Sequence, residues 1–401
     1  MSDISELSFC IQIILLILRS IFGSQMLIRE NLIFNIIFIV FLSSAAIQLF
    51  FYAFFYLKAG LYRKVIGSND HKPVSIIICA RNEEDNLRNF LASVLEQDYP
   101  GFEVIVVNDC SEDNSYSVLG ELLPRYPHLR ICDISRDPKF NHYKKFAQFI
   151  GIKAAKNELL LFTDADCHPV SDRWVESMAS HFDEKTDFVL GYGGYEAGKG
   201  MLNRYIRYDA MMIALQYTGM ALRGIPYMGV GRNLAYRRSV FFNNKGFGSH
   251  SHLISGDDDL FVNRYARRQN TAVEIRSEAH TRSVPPSSFA ELFRQKRRHL
   301  TTANHYKIRD RIILFTEPAT RTLFYLSFII LISRLYLWQY AVAVFAARLI
   351  LQSVTIKLTT KRFNEPGIFI LSGFFDIFSP FLNLAFYMSN YLQSYGKNQW
   401  K

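Results

Sequence analysis

The stretch Leu159–Cys167 reads LLLFTDADC and gives the clearest indication of the fold. Its first four residues form a continuous apolar run, which is typical of a strand buried on both faces of a parallel sheet. Similar runs occur at three other places in the middle of the chain: Val74–Cys79, Glu103–Val107 and Phe188–Leu190. Between them, Glu84–Gln97 and His142–Lys156 have the spacing of apolar residues expected for helices. This alternation predicts an α/β domain with a mostly parallel central sheet.

Polar and acidic residues follow three of these predicted strands, at the point where each strand ends. The segments concerned are Ala80–Glu84 (ARNEE), Asn108–Asp109 and Asp164–Asp166 (DAD). Ligands of parallel sheets bind at the carboxyl ends of the strands, so we expect these side chains to lie along one edge. Any single acid there could instead cap a following helix. Three such segments together favour a binding site.

The pair Asp164 and Asp166 indicates a metal site. Alternate residues of an extended segment point the same way, so the two carboxylates could share one hard divalent cation, Mg²⁺ or Mn²⁺. Such an ion would neutralise phosphate oxygens and the charge that develops on a leaving group. A D-x-D tripeptide alone is weak evidence, but this one comes directly after a predicted buried strand.

Three consecutive acids, Asp257–Asp259, form a second acidic motif. Adjacent like charges are unfavourable unless they are solvated, cap a helix or serve a function. One interpretation is a general base whose neighbours raise its pKa towards the working range. The other is a plain helix start, since Ser255 and Asp258 loosely fit a capping box.

Composition excludes several classes of protein. The chain has 401 residues, of which 49% are hydrophobic, which excludes a disordered protein. Its five cysteines lack a C-x-x-C pair, so we expect neither a zinc site nor a disulfide framework. The net charge is +10, but no signature of a nucleic-acid-binding protein accompanies it, so no nucleic-acid partner is expected. The charge instead suits phosphate-bearing substrates and an anionic membrane face.

The two ends of the chain are strongly apolar and predict membrane helices. Residues 31–57 carry no charge and are long enough to span a bilayer, whereas residues 1–30 could form an interfacial or extra helix. Lys58, Arg63 and Lys64 follow the span and place the domain at residues 72–310 in the cytoplasm by the positive-inside rule. Residues 311–401 are expected to contain about three further spans, the first with a kink at Pro318. We therefore predict an integral protein of the inner or plasma membrane.

The motifs between residues 73 and 300 resemble, in their order, those of family 2 glycosyltransferases. The resemblance implies a membrane-anchored, inverting enzyme whose catalytic domain has the GT-A fold. The segments that carry it are VSIIICARNEEDNL, VVNDCSED, FTDADCHP, GVGRNLAYRRSVF and SGDDDLF. RQKRRH further resembles the family's Q-x-x-R-W, with His299 where tryptophan is usual.

The resemblance also implies roles for single residues. Asp258 would be the catalytic base, preceded by Asp257 in a position that is usually acidic. Asp166 would bind the metal, with Asp164 beside it near the nucleotide. The other residues implied in substrate binding are Ala80, Asn82 and Glu83 in the nucleotide loop, Asp109 at the uracil, Lys145 beside the nucleotide, Gln295 of the Q-x-x-R-W match, and Arg298 of the same match at the diphosphate.

The expected reaction is transfer of one sugar from a nucleotide-sugar, a UDP-sugar by the resemblance, to a lipid or lipid-linked acceptor in the membrane. A processive polysaccharide synthase with the same site is the first alternative, and His299 counts against it. A non-catalytic membrane scaffold of the same fold is the second, and the intact set of acids counts against it.

Overall fold

The computed structural model describes residues 32–63, 70–135, 144–248, 253 and 255–392. Two compact units are present. One contains the described part of Met1–Gln48 together with Ala319–Leu349, and the other contains the described part of Leu49–Pro318 and of Ile350–Lys401. The predicted segment 1–30 lies outside the described residues.

A seven-stranded sheet forms the centre of the second unit, in the order β3-β2-β1-β4-β8-β6-β9. The strands are β1 (Val74–Ala80), β2 (Phe102–Asp109), β3 (Leu129–Ile134), β4 (Leu159–Asp164), β6 (Phe188–Leu190), β8 (Leu234–Arg237) and β9 (Thr271–Val273). β1, β2, β3 and β4 run parallel, whereas β8 is antiparallel to both β4 and β6. The predicted α/β class with a mostly parallel sheet is confirmed.

Helices cover both faces of the sheet, which is why every residue of β1 is buried. The helices of this region are α3 (Glu84–Leu95), α4 (Ser115–Leu122), α5 (Lys144–Ala154), α6 (Trp174–Ala179), α8 (Arg238–Asn243) and α9 (Asp259–Tyr265). Leu87 and Leu91 of α3 belong to the apolar core on one face. On the other face α5 lies so close that a Cβ at Gly151 would be 2.7 Å from Cγ2 of Ile77.

A second, three-stranded sheet lies beside the end of β4. It consists of β5 (Cys167–Pro169), β7 (Gly193–Tyr195) and β10 (Thr281–Ser283), with β10 in the middle. β10 is antiparallel to β5, and Ser283 pairs with Cys167. This pairing brings a residue far along the chain next to the predicted metal ligands.

The remaining helices are long. They are α1 (Leu32–Phe50), which continues through a π-helical segment (Phe51–Tyr56) into α2 (Leu57–Gly60), then α7 (Met201–Leu222), α10 (Phe289–Ala303), α11 (Ile308–Ser333), α12 (Trp338–Arg362) and α13 (Phe369–Leu392). Three stretches of the described residues are long and apolar enough to cross a membrane: Leu32–Gly60, Trp338–Arg362 and Phe369–Ser389.

The expected first span of the C-terminal region corresponds to α11, which has 26 residues and contains Pro318 as expected. It carries the charged residues Asp310, Glu317 and Arg321, all of them buried. The domain limits at residues 31–57, 72–310 and 311–401, the number of spans and the cytoplasmic orientation stay predictions.

The first unit has its own apolar core, formed by α1 with parts of α11 and α12. Phe41 stacks on Phe324 with their ring centroids 5.1 Å apart. Arg348 is buried in the same unit and donates hydrogen bonds to the hydroxyl of Tyr325 at 3.0 Å and to Oε1 of Gln48 at 3.1 Å. Polar side chains thus bond two nitrogens of this guanidinium inside an otherwise apolar bundle.

Within the second unit, the π-helical segment packs against α7. A Cβ at Gly219 would lie 2.4 Å from the carbonyl oxygen of Phe55, so only glycine allows this approach. Arg223 donates from Nε to the carbonyl oxygen of Phe54 at 2.8 Å. A π-helix leaves the ordinary helical bonding pattern, and here an arginine satisfies one of its carbonyl groups.

Candidate active site

The loops that follow β1 and β2 are bonded to each other at the carboxyl edge of the sheet. The amide of Asn82 donates to Oγ of Ser111 at 3.0 Å, and the amide of Glu112 donates to Oδ1 of Asn82 at 2.8 Å. Glu83 is buried, and its amide donates to Oγ of Ser115 at 3.0 Å. Asn82 has a φ of 54°, a left-handed conformation that asparagine tolerates. These contacts fix the shape of the predicted nucleotide loop.

The strand order brings Ala80 and Asp109 to adjacent strand ends. Ala80 is the last residue of β1, fully buried, and pairs with Asn108 of β2. Asp109 has no exposed surface, and its Oδ1 lies 3.5 Å from Sγ of Cys110. The predicted base-reading aspartate therefore lies at the inner end of the nucleotide loop.

Asp164 and Asp166 lie at the end of β4, with a third ligand type beside them. A carboxylate oxygen of each and Sγ of Cys167 all lie within 4.8 Å of one another. Oδ2 of Asp166 also accepts a hydrogen bond from Oγ of Ser283 at 3.0 Å, which orients the carboxylate. Two oriented carboxylates fit a hard divalent cation such as Mg²⁺ or Mn²⁺.

Lys144 connects these carboxylates to the second acidic motif. Its Nζ lies 2.6 Å from Oδ1 of Asp164 and 3.6 Å from Oδ2 of Asp257. Burial alone would raise the pKa of Asp164, but the Lys144 ammonium, together with Arg232 and Arg298, outweighs it and holds that pKa below its ordinary value. Asp164 is therefore ionised at neutral pH.

The sequence pointed to Lys145 rather than to Lys144. Nζ of Lys145 donates to the carbonyl oxygen of Leu253 at 3.0 Å, and burial lowers the pKa of its ammonium to about 8. The two lysines thus point to different partners, and it is Lys144 that forms ion pairs with the acids.

Asp258 caps helix α9 and is also the most perturbed carboxylate of the acidic motif. Its Oδ1 accepts from the amide of Asp259 at 2.7 Å, and its Oδ2 accepts from the amide of Gly231 at 2.5 Å. Burial, followed by the neighbouring charges of Asp257 and Asp259, raises the pKa of Asp258 to about 7. The helix cap is thus Asp258 rather than Ser255, and the role of Asp258 as general base stays a prediction.

Asp259 is bonded differently from Asp258, although it is the next residue. Its Oδ2 accepts from Oγ1 of Thr302 at 2.5 Å and from the hydroxyl of Tyr306 at 2.7 Å. Its Oδ1 accepts from the amide of Leu260 at 2.7 Å. These bonds tie α9 to the end of α10 and give Asp259 a structural role.

Helix α10 carries the remaining predicted site residues. Oε1 of Gln295 accepts from the hydroxyl of Tyr195 at 3.2 Å. Burial is the largest influence on the pKa of Asp164 and raises it, whereas the positive charge of Arg298 helps to lower it, after those of Lys144 and Arg232. Lys296 forms an ion pair with Asp209 of α7.

Sequence reasoning missed three residues at the acids: Lys144, Arg232 and Ser283. Lys144 is adjacent to the predicted Lys145, and Arg232 lies within the family-like segment GVGRNLAYRRSVF. Ser283 carried no signal, because its contact with Asp166 arises from the pairing of β10 with β5.

Comparison with known proteins identifies the class. Residues 75–242 match the family model "Glycosyl transferase family 2". This part of the chain is a family 2 glycosyltransferase domain, and the resemblance expected from the sequence is confirmed.

Individual relatives agree with this assignment. The chain is 26% identical over 238 residues to "Probable glycosyltransferase YdaM" of Bacillus subtilis, covering 56% of this chain but only 54% of that protein. It thus spans about half the length of this relative. It is 27% identical over 238 residues to the Escherichia coli "UDP-Glc:alpha-D-GlcNAc-diphosphoundecaprenol beta-1,3-glucosyltransferase WfaP", covering 55% of this chain and 83% of that protein.

A solved structure supports the fold. It is the mannosyltransferase PcManGT of Pyrobaculum calidifontis in complex with GDP-Man and Mn²⁺, which is 16% identical to this chain. The likeness covers 89% of this chain and 99% of the mannosyltransferase, with a TM-score of 0.57. The GT-A-like fold expected for the domain is confirmed.

Proposed function

We propose that this protein is an inverting glycosyltransferase that moves one sugar from a UDP-sugar to a hydroxyl of a lipid or lipid-linked acceptor. The observation that carries the proposal is the link through Lys144 between two kinds of carboxylate. Asp164, which is kept ionised, lies on one side of the ammonium, and the Asp257–Asp258 pair lies on the other. A transferase needs both a cation site for the departing diphosphate and a base for the acceptor, close together.

Asp258 is the proposed general base. The acceptor hydroxyl oxygen forms a bond to the anomeric carbon while its proton passes to the Asp258 carboxylate. The bond from that carbon to the diphosphate breaks with its electron pair on the leaving group, and the configuration at the carbon inverts. Each carboxylate oxygen has two lone pairs, so the amides of Gly231 and Asp259 orient Asp258 and leave it able to accept the proton.

Asp164 and Asp166 would hold the Mg²⁺ or Mn²⁺, with Ser283 orienting Asp166. When bound, the divalent cation supplies positive charge to the diphosphate oxygens. Arg298 adds a positive charge that acts on Asp164. Gln295 accepts a hydrogen bond from the hydroxyl of Tyr195.

The choice of donor and acceptor is supported by resemblance. Asp109 matches the aspartate of the family that reads uracil, and the name of WfaP states a UDP-sugar donor and a diphosphoundecaprenol-linked acceptor. Three helices that are apolar enough to cross a membrane suit an acceptor that lies in one. His299, in place of the tryptophan of Q-x-x-R-W, favours single transfer over a processive polysaccharide synthase.

The proposal is tested by nucleotide release from the full chain purified in detergent. A panel of UDP- and GDP-sugars is offered with a polyprenyl-diphosphate acceptor and Mn²⁺ or Mg²⁺, with and without chelator. We expect metal-dependent release from a UDP-sugar that is lost in Asp258→Asn. Asp98→Asn is the matched control, because Asp98 is exposed and precedes β2, at the opposite edge of the sheet.

Other outcomes would overturn the proposal. Absence of nucleotide binding with any donor and metal would favour a non-catalytic scaffold of the same fold. A ladder of elongated products would favour the polysaccharide synthase. Undiminished release by Asp258→Asn would remove Asp258 from the role of base.

A further inference from the structure

Strand β7 contains two consecutive glycines that make room for two arginines. A Cβ at Gly193 would lie 2.8 Å from Cβ of Arg232, and a Cβ at Gly194 would collide with Nη1 of Arg282. The two arginines are therefore packed against the same strand. Their partners differ, and that difference indicates what each of them does.

Arg282 is buried and its donors are used within the protein. It forms an ion pair with the fully buried Glu365 in the connection between α12 and α13. Its Nη2 donates to the carbonyl oxygens of Phe363 at 2.7 Å and Asn364 at 3.0 Å. Such a saturated guanidinium has a structural role, because it joins β10 to the connection between the two helices.

Arg232 is bonded far less completely. Nη1 donates to the carbonyl oxygen of Gly194 at 3.3 Å, and Cζ lies 4.3 Å from the ring centroid of Tyr195. Among the residues that the structure describes, Arg232 forms no ion pair within 4.0 Å. A guanidinium has five N–H donors, so most of those of Arg232 remain available to an anion.

The main chain of Arg232 is fixed next to the proposed reacting groups. Its carbonyl oxygen accepts from Oγ1 of Thr163 at 3.1 Å and from Oγ1 of Thr281 at 2.9 Å. The preceding amide, of Gly231, donates to the carboxylate of Asp258. The main chain at Arg232 is therefore bonded to β4, which precedes the proposed metal ligands Asp164 and Asp166, to β10 and to the proposed base Asp258.

The surroundings also hold the side chain of Arg232 in place before a ligand arrives. The ring of Tyr195 supports the guanidinium plane, and Tyr195 in turn donates its hydroxyl to Gln295 of α10. The positive charge of Arg232 acts on Asp164 and Asp166, the two proposed metal ligands. Planar guanidinium groups bind phosphate through paired hydrogen bonds, and a fixed one loses little conformational entropy in doing so.

We propose that Arg232 binds the diphosphate of the nucleotide-sugar donor, on the side of the metal acids that faces Tyr195. This inference rests on the proposed function, since it assumes that a nucleoside diphosphate binds at this edge. It assigns to Arg232 a direct contact with the departing group, in addition to the cation held by Asp164 and Asp166.

The test measures binding, not turnover, so it needs no acceptor. UDP, GDP, uridine and guanosine are titrated into the full chain in detergent with Mn²⁺, for the native protein, Arg232→Gln, Arg232→Lys and Arg237→Gln. Arg237 is the matched control, because this arginine at the end of β8 donates to Thr186 and pairs with Asp187, away from the acids. We expect Arg232→Gln to weaken UDP binding about 10- to 100-fold and to leave uridine binding unchanged, with partial recovery in Arg232→Lys.

A second readout separates ligand binding from structural support. Mn²⁺ alone is titrated into the native protein and Arg232→Gln and followed by electron paramagnetic resonance. Because a positive charge near the ligands opposes a cation, we expect the variant to bind Mn²⁺ at least as tightly as the native protein. Weaker Mn²⁺ binding would show that the site had collapsed and would overturn the inference.

The remaining outcomes are equally decisive. Unchanged UDP affinity in Arg232→Gln, or an equal loss for UDP and uridine, would overturn the assignment to the diphosphate while leaving the proposed function intact. Unchanged UDP affinity with weaker binding of a polyprenyl diphosphate would show that Arg232 binds the acceptor and not the donor. If the native protein binds no nucleoside diphosphate, both the proposed function and this inference are wrong.

Discussion

Two groups of acids lie near each other in this protein and behave differently. The strand acids, Asp164 and Asp166, follow β4, and the helix acids, Asp257, Asp258 and Asp259, lie at the start of α9. Cations led by Lys144 lower the pKa of Asp164 despite burial, whereas burial and like charges raise the pKa of Asp258 to about 7. The same residue type is thus prepared for opposite tasks by its neighbours.

The two environments have a common physical basis. A carboxylate beside an ammonium keeps its charge, and can meet a cation without first losing a proton. A carboxylate beside other carboxylates holds a proton more readily, which is the property needed for proton transfer near neutral pH. Substitutions on either side therefore have separate and measurable effects.

The largest expected effect is that of Asp258→Asn on turnover. Asparagine preserves the shape and can still accept from a backbone amide, but it cannot take the acceptor's proton. We expect kcat to fall about 100- to 10,000-fold, the usual contribution of a general base, with donor affinity within about threefold of the native value. Steady-state kinetics and nucleotide titration measure the two quantities. Equal losses in both would indicate a disturbed fold at Gly231 and not a missing base.

Ser283→Ala is expected to act on the strand acids alone. The Ser283 hydroxyl donates to Oδ2 of Asp166, and loss of such a supporting bond typically weakens metal binding about 10- to 100-fold. Titration with Mn²⁺, followed by electron paramagnetic resonance, measures the affinity. The pH dependence of kcat at saturating metal should not move, and a shift in it would mean that the two groups of acids are not independent.

Much of the fold on which these acids depend was predictable from sequence. β1, β2, β4 and β6 each contain an apolar run, because a strand that is buried on both faces accommodates few polar residues. The helix predicted at 84–97 is present as Glu84–Leu95, and the one predicted at 142–156 is present over Lys144–Ala154 within the described residues.

Elements whose stability comes from distant partners were not predictable. β3 (LRICDI) contains the polar residues Arg130 and Asp133, which are not buried. Because they interrupt its apolar residues, β3 has no continuous apolar run. β5, β7 and β10 have three residues each and exist only through pairing with one another. For the same reason the contacts of Ser283, Arg232 and Lys144 had no signature in the local sequence.

The pH dependence of the proposed reaction depends directly on the pKa of Asp258, one of the helix acids. Because the base acts in its ionised form, kcat/KM should be level above the pKa of Asp258, about 7, and fall tenfold for each pH unit below it. Asp257→Asn removes one of the charges that raise this pKa and frees Lys144, so the acid limb should shift to lower pH by about one unit. An unchanged profile would show that the limb belongs to another group.

The smallest expected effect is that of Asp259→Asn, which tests whether three adjacent acids share one task. Asp259 accepts from Thr302, Tyr306 and its own helix, so its oxygens are committed to the protein and are unavailable to an acceptor hydroxyl. Asparagine can still accept the bond from the amide of Leu260, but it weakens the bonds from Thr302 and Tyr306. We therefore expect turnover to stay within about tenfold of the native value, while the free energy of unfolding falls by about 1–3 kcal/mol. Chemical denaturation and steady-state kinetics of the same preparation measure both. A loss of kcat as large as that of Asp258→Asn, without a loss of stability, would make Asp259 the base and reverse the roles assigned within α9.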